Sequence, residues 1–156
     1  MAYVRGVYRY SSGTGPHVMD DMPEHVTGTL LIWHIASSIT PSLITALAAG
    51  WALHPTYTPT TVNSVRQTWL YKIATSDSET PPQLDNTGTG YVNQTVISIE
   101  DYDTVNIFDV QDKTSNTAVE TIALPTPTTT VDECLVLDAF AIYNAAVNLR
   151  PYFPKT

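Results

Sequence analysis

The chain has 156 residues, enough for one core and short for two, so a single domain over residues 1–156 is expected. Only 14% of the residues are charged, against roughly 25% in ordinary soluble domains, and 15 acidic against 7 basic residues give a formal net charge of −8. Arg5, Arg9, Arg66, Lys72, Lys113, Arg150 and Lys155 are scattered, which argues against a phosphate backbone or an anionic membrane as a partner: neither nucleic acid nor membrane is expected.

In chain order, residues 3–10 mix Tyr3, Val4, Val7, Tyr8 and Tyr10 with Arg5 and Arg9, the pattern of an opening strand. Ser11 to Gly15 reads as a turn, and His17 to His25 as a polar connector ending its Met-containing run at Pro23. Gly28 to Ile35 is apolar on both faces, which predicts a central strand buried on both sides. Pro41 near the start, Leu43, Ile44 and Leu47 at helical spacing, and Gly50 just beyond the end predict a short helix over 41–49. Gly50 then supplies a left-handed turn that swings Trp51 into the core. The apolar run over residues 30–53 is interrupted by His34, Ser37, Ser38, Thr40 and Pro41, which rules out a membrane span.

Thr56 to Asn63 reads as a Thr-rich loop, Val65 to Thr75 as a second strand, Ser76 to Gly90 as a long polar loop, and Tyr91 to Ile99 as an alternating strand. Glu100 to Asp112 is acidic and turn-like. Val119 to Leu124 is a short strand, and Pro125 to Thr130 is a Thr-Pro linker within the domain. Cys134 to Tyr143 closes the core, and residues 146–156 form a tail beyond a core of about 4–145. Trp33, Trp51 and Trp69 are expected in the core, as is the single cysteine, Cys134, among Leu135, Val136 and Leu137. Some eight or nine strands with one short helix predict an all-β, antiparallel sandwich of jelly-roll type.

Little here looks catalytic. There is no Gly-x-Ser-x-Gly elbow, phosphate loop or dinucleotide fingerprint, so no enzyme and no cofactor are expected. Asp20, Asp21, Glu24 and His25 read as a solvated connector. Asp101, Asp103 and Asp109 are the candidates for a structural calcium, although the spacing of a calcium-binding helix-loop-helix is absent and no metal site is expected. Tyr3, Val4, Tyr8, Tyr152 and Phe153 concentrate aromatic and aliphatic surface near both termini, the pattern of a contact surface. Tyr57 and Tyr91 lie in or beside loops, where aromatic rings can stack on sugars.

Several short elements occur in a telling order: Gly28 to Ile32, Gly50-Trp51, Trp69 to Ala74, Ser78 to Pro81, Ile97 to Ile99, Asp103, and Asn106 to Asp109, then Thr128 to Val131 and Leu135-Val136-Leu137. This series resembles a β-sandwich domain of tailed-bacteriophage virion proteins, found in capsid-decoration, tail and fibre proteins. Ala49 stands where relatives often carry Pro, and Glu100-Asp101-Tyr102 replaces a Gly-Val approach to the Asp. The resemblance implies a capsid decoration or cement protein at the virion surface, made in the host bacterial cytoplasm. Its partners would be the major capsid protein or tail proteins, with a homo-oligomer, first of all a trimer, as the assembly. It also implies that the Asp103 region is a turn in which Asp caps backbone N–H groups. The terminal segments are expected to reach neighbouring subunits, so that removal of residues 1–6 or 150–156 leaves the domain folded. The alternative is a carbohydrate-binding module at a tail or fibre tip that reads host glycans through Tyr57 and Tyr91.

Overall fold

The run Leu30-Leu31-Ile32-Trp33-His34-Ile35 carries too many large apolar side chains for one face, and the fold buries both. The structure is a computed structural model that describes residues 2–14, 17–38, 50–54, 60–62, 65–84 and 89–109, with Thr128, Thr130, Leu135 and Leu137 as isolated positions. These residues form eight strands in chain order: β1 (Tyr3–Thr14), β2 (His17–Val18), β3 (Leu30–Ser37), β4 (Ala52–Leu53), β5 (Thr60–Val62), β6 (Val65–Ile73), β7 (Gln83–Leu84) and β8 (Thr89–Glu100). All pairings are antiparallel, and there is no helix among the described residues. The helix expected over 41–49, the strand over 119–124 and most of the closing segment 134–143 lie outside them.

A six-stranded sheet has the order β1-β8-β3-β6-β4, with β5 also on β6, and a two-stranded sheet pairs β2 with β7. Strand β3 sits at the centre, as its sequence predicts, with Trp33 opposite Val96 on one side and Leu70 on the other. One face of the large sheet carries Leu31, Trp33, Ile35, Leu70, Val92 and Val96. It is covered by Met19, Trp51, Ala74 and Leu84. The other face carries Leu30, Ile32 and Ile99, against which Trp69, Tyr71, Ile97, Tyr102, Ile107, Phe108 and Leu137 pack. Phe108 meets Tyr71 edge to face at 5.0 Å and His54 at 4.0 Å between ring centroids. The expected cores around Trp33 and Trp51 are present, while Trp69 is only half-buried and stacks on His34 at 4.5 Å.

Three elements differ from the sequence reading. Residues 11–14 extend β1 instead of turning, because Ser11 and Ser12 find ladder partners in Asn93 and Val92. Tertiary pairing here overrides the weak strand preference of Ser and Gly. The polar segments around His17 and Gln83 pair with each other as β2 and β7, His17 with Leu84 and Val18 with Gln83, a long-range contact that no local pattern marks. The loop ending at Leu53 and the Thr-rich segment both contribute short strands, β4 and β5, to the edge of β6.

Gly50 has φ of +87°, the left-handed turn that its position before Trp51 predicts. A Cβ there would also lie 3.2 Å from Cε of Lys72, a side chain that is tied down by Glu79. Gly50→Val is expected to cost about 1–3 kcal/mol, because a β-branched residue is strained at positive φ and Lys72 cannot swing away without losing its ion pair. A denaturation midpoint equal to that of the wild type would show that the turn relaxes without penalty.

Candidate interaction surface

Strand β1 forms one edge of the six-stranded sheet and bonds only to β8 among the described residues. A bulge shapes its first half. Val4 pairs with Ile99 and Gly6 with Ser98, which leaves Arg5 as the extra residue. Its guanidinium bonds to Glu24 at 2.6 Å and also to Glu100, whose carboxylate accepts the Tyr3 hydroxyl as well. The Tyr3 hydroxyl and Arg5 together hold the Glu100 carboxyl below its ordinary range, and Glu100 in turn raises Tyr3. Gly6 allows a close approach here: a Cβ would meet Pro23 Cβ at 3.2 Å and the Glu24 backbone nitrogen at 3.3 Å.

The bulge also decides which side chains emerge together. Strict alternation would place Val4 and Val7 on opposite faces; with Arg5 inserted, their partners are Ile99 and Ile97, which share one face. Val4 is 39% exposed and Val7 48%; Tyr3, 47% exposed, pairs with Glu100 and emerges on the other face. Tyr91 is on the same side of β8 as Ile97, six residues and roughly 20 Å along the strand. It is 76% exposed, and its ring lies 3.6 Å from where a Gly13 Cβ would be. Between these ends, Arg9, Ser11 and Asn93 are exposed. The result is a stripe, apolar at one end, polar in the middle and aromatic at the other.

Of the contact residues expected from sequence, Val4 lies in this stripe, and Tyr3 is exposed on the other face of the strand, opposite Glu100. Tyr8 is on that other face too, but turned to the core. It pairs with Val96, packs against the core of the opposite face and donates its hydroxyl to Asp20, which pushes its pKa up to about 12. Val7 is the residue that takes its place, and only the bulge, invisible in the sequence, puts it there. Tyr57, Tyr152 and Phe153 lie outside the described residues.

Two of the three acidic candidates, Asp103 and Asp109, are occupied by the protein itself. Asp103 caps the turn after it, accepting from the backbone N–H groups of Val105 at 2.8 Å and Asn106 at 3.2 Å, and these bonds hold its carboxyl below the usual range. This is the role that the resemblance implies. Asp109 accepts from the Thr130 backbone at 2.7 Å and from its hydroxyl. Asp101 takes a left-handed conformation with φ of 55° at the end of β8, which Asp tolerates better than most residues. No group of three His, Cys, Asp or Glu side chains could hold a metal ion among the described residues, and they include no helix long and apolar enough to cross a membrane. The other acidic group is equally committed: Asp20 to Tyr8, Asp21 to the Met22 N–H, Glu24 to Arg5, and His25 to Pro23 and Glu79. These residues fasten the connector across β1 and the 75–79 turn, where the sequence suggests a solvated loop.

No family model matches the chain, and no similar protein was found among curated proteins or solved structures.

Proposed function

We propose that this protein is a non-catalytic structural component of a bacteriophage virion, a capsid decoration or cement protein that acts in many copies at the particle surface. The finer architecture that goes with this reading is a jelly-roll sandwich, and the small β2–β7 sheet, whose Leu84 and the adjoining Met19 cover one face of the large antiparallel sheet, is what favours it. The observation that carries the role is the exposed edge of β1, where Val4 and Val7 present apolar surface on one face and Tyr3 on the other, beside a fixed Arg5-Glu24-Glu100 cluster. Low charge density lowers the desolvation cost of packing such a surface against a neighbour. Repetition over a shell then converts weak contacts into avidity.

Substitution is the sound test of this edge. Removing residues 1–6 would strip the ladder pairs at Tyr3, Val4 and Gly6 and both Arg5 ion pairs, so the deletion expected from sequence to be harmless damages the fold. Val7→Lys and Tyr3→Ser alter side chains that are largely exposed and are expected to leave the melting temperature within a few degrees. Each should weaken attachment to purified particles roughly tenfold, the equivalent of one apolar side chain's burial at about 1.4 kcal/mol. Wild-type occupancy for both variants would remove β1 from the contact surface.

Tyr91 favours a second reading, a glycan-binding module of a tail or fibre tip. A ring so exposed, beside Gly13 and Asn93, has the form of a stacking platform for a sugar. Glycan-array binding that is lost in Tyr91→Ala, with particle attachment unchanged, would establish this reading over the first.

A further inference from the structure

The layer between the two sheets holds polar atoms that the protein leaves unsatisfied. His17 is fully buried, and neither ring nitrogen has a hydrogen-bond partner. Gln94 is equally buried. Its side-chain nitrogen donates to the His17 carbonyl oxygen at 3.1 Å, which fixes the orientation of the amide and leaves Oε1 without a donor. Turning the amide over would set two oxygens against each other, so no flip removes the problem. Trp33, whose Nε1 is also unpartnered, is on the same face as Gln94, since its neighbour at two residues, Ile35, is the ladder partner of Gln94.

Burying such groups unpaired costs about 1–3 kcal/mol each, and native interiors avoid it. The set is also specific. A neutral imidazole offers one N–H and one bare nitrogen, and Gln94 Oε1 offers an acceptor. Burial keeps His17 neutral, its pKa being lowered by desolvation. The orphaned atoms are all uncharged, so an ion would enter with no countercharge among them. What fits is a small neutral molecule that both donates and accepts.

We infer that an internal water binds between the His17 ring and Gln94 Oε1 and joins the two-stranded sheet to the six-stranded one. The small sheet needs such a joint. β2 and β7 share two ladder pairs, His17 with Leu84 and Val18 with Gln83, far short of a ladder that is stable alone. Its position is set by side chains reaching inward: Met19, Leu84, and the His17-Gln94 contact. The water completes the polar part of that contact, as internal waters do where they have two or more polar partners.

The test uses the intact wild-type chain in solution. Water-to-protein cross-relaxation spectra should show a long-lived water beside the Gln94 side-chain amide protons and the His17 ring N–H. The His17→Phe variant, which keeps a ring and removes both nitrogens, should lose that signal while retaining the ladder of β8. Absence of a long-lived water at these protons in the wild type overturns the proposal. So does a coupling across a direct bond from His17 to Gln94 Oε1. A silver(I) titration probes the remaining chemistry: stoichiometric binding that shifts the His17 ring nitrogens and the Met19 methyl group would assign a soft-cation site in place of the water, and no shift is expected.

Discussion

Trp51→Ala is expected to lower the unfolding free energy by about 3–5 kcal/mol, the usual cost of emptying a large buried aromatic site. The indole is only 7% exposed and meets Trp33 at 5.4 Å in an edge-to-face arrangement, 62° between planes. Trp33 is on the central strand and Trp51 precedes the short edge strand β4, so this pair closes the core over three strands, β3, β6 and β4. Neither main-chain rotation nor neighbouring side chains can fill the space, because Gly50 fixes the approach to Trp51 and Leu70 and Leu31 are already packed. Denaturant unfolding followed by far-ultraviolet circular dichroism measures the loss. A change below about 1 kcal/mol would mean that the core collapses around the smaller side chain.

Trp51 also shows what the sequence makes legible. Gly before Trp, following an apolar helix-like run, was enough to predict both the left-handed turn and the burial, because a glycine's backbone freedom and a tryptophan's size are local properties. The central position of β3 was legible for the same reason: an apolar run on both faces has few places to go. The cap at Asp103 is what the resemblance implies, and Val105 and Asn106 supply the N–H groups. What could not be read depends on distant partners. The β2–β7 pairing joins His17 to Leu84. The extension of β1 through Ser12 needs Val92, and the bulge at Arg5 exists because Glu24 and Glu100 hold that side chain from two other parts of the chain. The exposed edge of β1 inherits this limit. Tyr3 and Val4 are exposed there, but the inward turn of Tyr8 and the emergence of Val7 follow from one inserted residue. The partners of other acidic residues are equally remote from them in sequence: Asp20 accepts from Tyr8, and Glu24 pairs with Arg5.

Glu79→Ala is the second variant expected to have a large effect, about 2–4 kcal/mol, because it breaks an ion pair that the fold has largely withdrawn from water. The Glu79 side chain is 7% exposed and that of Lys72 15%. One carboxylate oxygen takes Lys72; the other accepts from the Thr75 backbone at 2.5 Å, the Thr75 hydroxyl at 2.9 Å and the Ser76 backbone at 3.3 Å. The Glu79 N–H donates to His25 Nε2 at 3.1 Å, and His25 Nδ1 faces the Pro23 carbonyl at 2.7 Å. Truncation would strand the Lys72 charge and two backbone donors together. The pH dependence identifies the charge as the cause. Burial pushes the Glu79 carboxyl up, but Lys72 and Thr75 outweigh it and hold the pKa at about 2, against an ordinary 4.5. A carboxylate with a depressed folded-state pKa stabilises fully above its unfolded value and loses that contribution as pH falls through the folded one. The stability difference between wild type and Glu79→Ala should therefore be constant above about pH 4.5 and shrink between there and about pH 2. His17 and His34, whose pKa values burial lowers from 6.5, produce an earlier loss as pH drops below that value, and this loss should be the same in both proteins. Urea midpoints taken across the acid range separate the two stages. A difference between the proteins that persists unchanged to pH 2 would mean that packing of the Glu79 stem, and not its charge, holds the 75–79 turn.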